Sequence, residues 1–446
     1  MPARGRVLVI GGGAAGVAAA WSCSHPQNAF EVTLCEKAKV LGGVATSSEW
    51  NGVRFNDGVQ GAAPSYANTL RLHRELGFTH REVKLTVSFG TGPFRWTNRQ
   101  NWPILSEHAS DIRRFQGVLG FVNRFRAFFA GVSIRNVLKL FRFSDDFGDR
   151  IVYPLTALFF GTGNQTARTS SVLVSRVFFD PKFRLFAYDS ERFVSTSPTM
   201  LAFDDLEEVY TAAQKRLEAR GVTVRTGASV QQVSPNRETV EVVFEDGTSD
   251  VYDHIIFACG AEVTLQLLGN RATHTERSVL SSVTYYNDVT VTHTDATYMQ
   301  SKFSTLDAMY MIRNSDETRP DIFEMGFHLS KYQSLDVPLF QTIFLNQDED
   351  ETTWSIGDID ESKVVLTKGW RQFAHTAAHY RDVVPRVKYL HRGKQMIHCG
   401  AWVLANTHEM ATVSGFCAAR RLGCPHPFAD DEDALHIFLT VNNLLY

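Results

Sequence analysis

The chain has 446 residues, 44% of them hydrophobic, which is enough to bury two domain-sized cores. Its 45 Lys+Arg against 48 Asp+Glu leave a net charge of -3, without the basic excess that marks a nucleic-acid partner. No run of about 18 apolar residues occurs, so no membrane span is expected.

Residues 6–23, RVLVIGGGAAGVAAAWSC, admit two readings. Arg4 and Arg6 ahead of an apolar run outline a secretory signal. A signal needs an unbroken apolar stretch, however, and Gly11, Gly12 and Gly13 interrupt this one after a few residues. Three glycines also disfavour a helix. The six cysteines (Cys23, Cys35, Cys259, Cys399, Cys417 and Cys424) show no CxxC pair or framework spacing, which suits a reducing, cytoplasmic setting. The glycosylation-type triplet Asn164-Gln165-Thr166 then carries no meaning.

The better reading is strand, glycine turn, helix. Arg6 to Ile10 is a short buried strand, and Gly11, Gly13 and Gly16 fit GxGxxG with Ala14 and Ala15 between them. The first glycine permits the turn, the second admits a pyrophosphate, and the third brings helix against strand. A second strand, Glu31 to Cys35, ends in Glu36, about twenty residues on, where a carboxylate accepts ribose hydroxyls. Lys37 follows it.

The stretch KAKVLGGVATS, with Gly42, Gly43 and Val44, resembles the second glycine motif of the large flavoprotein class of amine oxidases and phytoene-type desaturases. The resemblance implies FAD rather than NAD. In the same class, the strand within GVTVRTGASVQQVSP carries a backbone contact to adenine, which falls on Val230 here. The small-residue turn near the cofactor falls on Cys259 and Gly260. The stretch MIHCGAWVLANTHEMATVSGFCAARRLG resembles the closing signature of the class: a strand into Gly400, a crossing loop, and a helix starting around Glu409 to Thr412 with its N-terminus toward the flavin. Two narrower resemblances exist. GGVATSSEWNGVRFNDGVQGAAPSY is similar to polyunsaturated fatty-acid double-bond isomerases, and YYNDVTVTHTDATYM with FHLSKYQSL is similar to predicted amine-oxidase-like proteins. Val44 stands where amine oxidases usually carry Arg, and Trp402 is the lone aromatic offered by WVLANTHE, so amine oxidation is not what the motifs favour.

The implied fold class is α/β: a Rossmann-like FAD-binding domain (1–85, 200–275 and 390–446) interrupted by an α+β substrate domain (86–199 and 276–389) with an antiparallel sheet. In the first insertion, Phe115, Val118, Leu119, Val122, Phe125 and Phe129 fall at helical spacing among Arg113, Arg114, Arg124, Arg126, Arg135 and Arg142. This pattern reads as a core helix with a solvated basic face. The alternative is a basic amphipathic surface for peripheral contact with lipid headgroups or a fatty carboxylate. In the second insertion, alternation from Val283 to His293 predicts the sheet, which would form the wall over the flavin's reactive face. The 32 phenylalanines are expected mainly in the core, with an apolar substrate tunnel as the alternative. The FGTG phrases at 89–92 and 160–163 read as turns, and QDEDE (347–351) and DDED (430–433) as solvated loops.

His375 and His379 lie four apart in a segment, 370–381, that reads as a helix, and surface histidines are expected there rather than a zinc site. No GxSxG elbow or Walker loop is present. The expected chemistry is removal of a hydride from a C–H of a largely apolar small molecule, with His408, Trp402 and Tyr66 as candidate residues at the ring. A double-bond isomerase without net redox change and a non-enzymatic flavin-binding protein are the alternatives.

Overall fold

The computed structural model describes residues 5–28, 30–161, 165–180, 184, 186–194, 197–315, 319–320 and 322–446. Arg4, Asn164 and the last two residues of the second FGTG phrase lie outside them.

A five-strand parallel sheet forms around β1 (Arg6–Ile10). β1 pairs with β2 (Glu31–Glu36) on one side and with His254–Phe257 on the other. Thr223–Thr226 and Met396–His398 complete the edges, also parallel. Val7, Leu8 and Val9 are buried on both faces, which is why β1 is a continuous apolar run rather than an alternating one.

α1 (Ala14–Cys23) returns across one face. It is buried almost all round because the helix His408–Arg421 lies against its other side. Small residues make this approach possible: a Cβ on Gly415 would stand 2.1 Å from the Ala15 carbonyl oxygen. An antiparallel meander of Val230–Pro235, Val240–Phe244 and Ser249–Tyr252 covers the opposite face, packing Val233, Val240 and Val242 on Leu8.

The second unit is built on a seven-strand sheet. Val364–Phe373, Tyr285–His293, Phe340–Phe344, Phe323–Phe327 and Tyr310–Asn314 run antiparallel in that order. The sheet is not wholly antiparallel. Val87–Phe89, from the first insertion, joins Tyr310–Asn314 in parallel, so both insertions share one sheet. The first insertion packs Phe115, Phe147 and Phe178 from its helices and Phe193 from a short strand into one cluster with Trp96, which accounts for much of the phenylalanine content.

Three sequence expectations change. Residues 370–373 end a ten-residue strand paired with Tyr285–His293, and the helix is shorter, Ala377–Asp382. His375 and His379 are buried rather than on the surface. The acidic phrases are not plain solvated loops: Asp350 is buried, and Asp431 caps the helix Glu432–Leu445 by accepting from the Ala434 N–H at 3.1 Å. In addition, Tyr380, Val383, Val387 and Leu390 pack into the core around α1, upstream of the expected domain boundary at 390. Among the described residues, no helix is long and apolar enough to cross a membrane.

Candidate functional site

The carboxyl ends of the parallel strands open onto one cleft of ≈ 430 Å³. β1 delivers Gly13, Ala14 and Ala15; His254–Phe257 delivers Ala258, Cys259 and Gly260; Met396–His398 leads to Gly400, Ala401 and Trp402. The far wall comes from the seven-strand sheet, through Tyr285, Thr290, Gln341, Ile343 and Trp370 to Phe373. The crevice at the carboxyl ends of parallel strands is where open α/β sheets bind ligands.

The glycines differ in what they do. Gly11 has φ +108, and a Cβ there would meet the Ala258 carbonyl oxygen at 2.8 Å. Gly16 lies so close to β1 that a Cβ would stand 1.8 Å from the Gly11 oxygen. Gly12 faces Leu41 and Glu36. Gly13 alone has ordinary backbone angles (φ -73) and open space, with the nearest atom 3.8 Å from a Cβ. Nothing in the protein requires glycine there. The space it leaves is part of the cleft, beside a helix start with no side-chain cap and no acidic residue in its first turn. That cradle fits a dinucleotide pyrophosphate.

Glu36 ends β2 with its carboxylate held by backbone donors. Gly12 N–H donates to Oε2 at 2.6 Å and Ala38 N–H donates to Oε1 at 2.8 Å. The remaining lone pairs are available to ribose hydroxyls. Gly42 sits against Gly13, donating its N–H to the Gly12 oxygen at 2.9 Å, so both glycine turns meet in one groove.

Of the other expected contacts, Val44, Tyr66, Trp402 and His408 border the cleft. Trp402 donates its indole N–H to the Cys259 oxygen at 3.1 Å, tying two strand ends together. His408 is not placed as a base. Its Nε2 shares a hydrogen bond of 2.8 Å with the Tyr210 hydroxyl, and its ring packs on Phe203 and His73. Burial and nearby His80 push it down to about 4, so the imidazole is neutral at ordinary pH. The closing helix begins at His408, with Thr407 as cap, one residue before the expected start. Glu409 faces away from the cleft. Its carboxylate accepts from the N–H groups of Asn68 (3.0 Å) and Thr69 (2.8 Å) and from the Asn68 side chain (2.9 Å), capping α2 (Ala67–Glu75). Thr412 bonds Thr69 within the same contact. Gly43 packs on Gly13, Lys37 directly follows Glu36, and Val230 lies on the meander beside it, where the Ala228 N–H donates to the Glu36 carbonyl oxygen at 2.9 Å.

The sheet expected from Val283–His293 does line the cleft, through Tyr285 and Thr290, but its partners Gln341, Ile343 and Trp370–Phe373 were not expected there. Trp370 donates to Thr290 at 2.8 Å. Asn406 donates its side chain to the Gln372 oxygen at 2.7 Å and its N–H to His375 Nε2 at 2.8 Å. Burial pushes His375 down to about 3, consistent with that acceptor role. The Tyr285 hydroxyl accepts from the Ala261 N–H at 2.8 Å, with its pKa raised by burial. The charged groups here are engaged with one another. Arg371 holds both oxygens of Glu262 at 2.5 and 2.6 Å, and Lys368 lies 3.1 and 3.2 Å from the two oxygens of buried Asp57. Alternation along Val364–Phe373 is the signal for the neighbouring strand, and Gly369 and the adjacent Lys368 obscure it.

Comparison with known proteins follows the same lines. Residues 9–76 match the NAD(P)-binding Rossmann-like domain family, and residues 190–281 match the pyridine nucleotide-disulphide oxidoreductase family. No curated protein sequence matches the chain. Among solved structures, a CLA-producing fatty acid isomerase from P. acnes is similar at TM-score 0.68 and 14% identity, covering 93% of this chain and 98% of that one. A cyclohexylamine oxidase from Brevibacterium oxydans follows at TM-score 0.67 and 12% identity, covering 94% and 98%. A putrescine oxidase variant has TM-score 0.66 and 11% identity, covering 95% and 99%. The fold is the one these solved structures share. Its two-part build is present here in full, with the nucleotide-type Rossmann half and the sheet-roofed half meeting at the cleft. Among the described residues, no group of three or more His, Cys, Asp or Glu forms a metal-type set.

Proposed function

We propose that this chain is an FAD-dependent oxidoreductase that dehydrogenates or oxidises a C–H of a largely apolar small molecule. The observation that carries the reading is Gly13: a glycine whose backbone does not need to be one, beside an uncapped helix start, facing open groove. Gly13, Ala14, Ala15 and Gly42 would hold the pyrophosphate, Glu36 the ribose, and Gly400 to Trp402 with the Thr407 helix start the ring end. Bound FAD supplies two-electron redox chemistry toward a substrate C–H.

The chain's own residues orient the substrate and exclude water. Trp370, Phe373, Ile343, Tyr285 and Trp402 give an apolar enclosure over the strand ends. Asp57 is bound by Lys368 and Glu262 by Arg371, so neither carboxylate is free to anchor an ammonium. This favours an apolar substrate over a small amine. The structurally similar fatty acid isomerase supports keeping a double-bond isomerase as the second reading, since both chemistries need the same apolar enclosure.

The test is the visible spectrum of the purified protein, followed by anaerobic mixing with unsaturated fatty acids. Released FAD and substrate-driven bleaching support oxidation. An altered double bond without bleaching at equilibrium supports isomerisation. A protein that neither carries nor takes up FAD refutes both.

A further inference from the structure

The first insertion carries an exposed apolar patch that the cleft does not explain. The helix Ala109–Arg124 turns Ile112, Phe115, Val118, Leu119 and Val122 into the core, as its spacing predicts. The chain then breaks at Phe125 and leaves large side chains outside. Phe128 is 81% exposed, Leu140 65%, Phe121 46% and Phe125 40%. Phe121 draws the patch together, with its ring centroid 4.8 Å from Phe125, 5.7 Å from Phe129 and 6.1 Å from Phe141.

The charges around these rings are one-sided. No Asp or Glu occurs between Asp111 and Asp145. Some arginines elsewhere pair with carboxylates, as exposed Arg371 does with Glu262. Arg124, Arg126, Lys139 and Arg142 are exposed, and no ion pair to any of them is found among the described residues. Bare cations flanking exposed aromatic rings complement an anionic lipid interface: rings enter the headgroup–acyl boundary and cations meet phosphates. The chain as a whole, at net charge -3, lacks the basic excess that marks a nucleic-acid partner.

We infer that the surface formed by Phe121, Phe125, Phe128 and Leu140, with Arg124, Arg126 and Lys139, docks the protein peripherally on anionic membranes. The patch also adjoins the cleft's support. The Ser171 N–H bonds the Val132 oxygen (2.9 Å), the Ser170 N–H bonds the His375 oxygen (3.1 Å), and His375 in turn accepts from Asn406 on the cleft wall. The docking itself does not rest on the cofactor reading.

The test is flotation of the full chain with vesicles of phosphatidylcholine alone or with phosphatidylglycerol, at low and high salt. Binding is expected only with phosphatidylglycerol, weakening as salt rises. The double variant Phe128→Glu/Leu140→Glu is expected to reduce the bound fraction about tenfold or more. Both side chains are exposed, so its thermal midpoint should match wild type; failure of the wild-type protein to bind FAD would fault the cofactor reading alone, since vesicle binding does not require it. Absence of anionic-vesicle binding, or equal binding by the double variant, overturns the inference. So does a dimer in sedimentation velocity that the double variant dissolves while vesicles remain unbound, which would make the patch a self-association face.

Discussion

Two glycine-to-alanine changes three residues apart separate a structural glycine from a ligand-facing one. At Gly16 a methyl would lie 1.8 Å from the Gly11 oxygen, so α1 would have to retreat by more than about 1 Å to reach an allowed contact. It has no room to do so, because Gly415 on the closing helix stands equally close on the other side. Gly16→Ala should cost about 4 kcal/mol or more and leave little folded protein. At Gly13 the nearest atom to the new methyl is 3.8 Å away and φ is -73. The cost should stay near the difference between Gly and Ala as a helix N-cap, about 1 kcal/mol or less. The methyl would nevertheless occupy the groove. The FAD dissociation constant should rise about a hundredfold, or ~2.7 kcal/mol. Thermal unfolding of the apoprotein and titration with FAD, followed by absorbance, measure the two quantities separately. A Gly13→Ala protein that binds FAD like wild type would refute the argument, because the open space would then belong to something other than the dinucleotide.

Three further outcomes follow from buried groups. Glu409→Ala removes the acceptor for three donors at the start of α2 and should lower stability by about 3 kcal/mol, read by urea unfolding; a change below 1 kcal/mol would refute the capping role. Burial raises Asp288 to about 7, so the native state keeps a proton that the unfolded chain loses. The contribution of Asp288 to stability should therefore fall as pH rises from about 4 to about 7, against the opposite slope of the buried histidines, and Asp288→Asn should gain up to ~4 kcal/mol relative to wild type between pH 4 and pH 8. Parallel stability curves for the two proteins would contradict that. Burial pushes His375, His391 and His398 down to about 3 and His293, His379, His408 and His426 to about 4. The unfolded state binds protons first below the ordinary histidine range, so stability should drop by about 1.4 kcal/mol per pH unit per histidine as pH falls below about 6.5. A flat unfolding midpoint from pH 7 to 5 would show that these rings are not buried neutral.

The cofactor half of the site is legible in the sequence because its determinants are local. Gly11, Gly13 and Gly16 lie within one turn, and Glu36 ends the next strand, so spacing alone places them together. The roles of single residues were less legible. His408 stands next to Glu409 at a helix start in either reading; only the position of Tyr210, on a helix 198 residues earlier, shows that its ring points into the core. Likewise Glu409 has the position of a ligand contact but finds Asn68 and Thr69 from a segment 340 and more residues away.

The substrate wall is harder still, because a strand's inward face depends on what lies across it. Lys368, Trp370 and Gln372 alternate correctly, yet polar members of that face are tolerated only because Asp57, Thr290 and Asn406 arrive from three other segments to partner them. Taken alone, the run breaks the rule that strand interiors are apolar, and from 370 onward the sequence favours a helix instead. The converse holds at Phe121 to Phe128, where aromatic residues at helical spacing suggest core but the chain bends at Phe125 and no further layer covers them. In both places the local pattern states what kind of contact a face requires, and the identity of the contact is set by distant chain or, for the exposed rings, by a partner outside the fold.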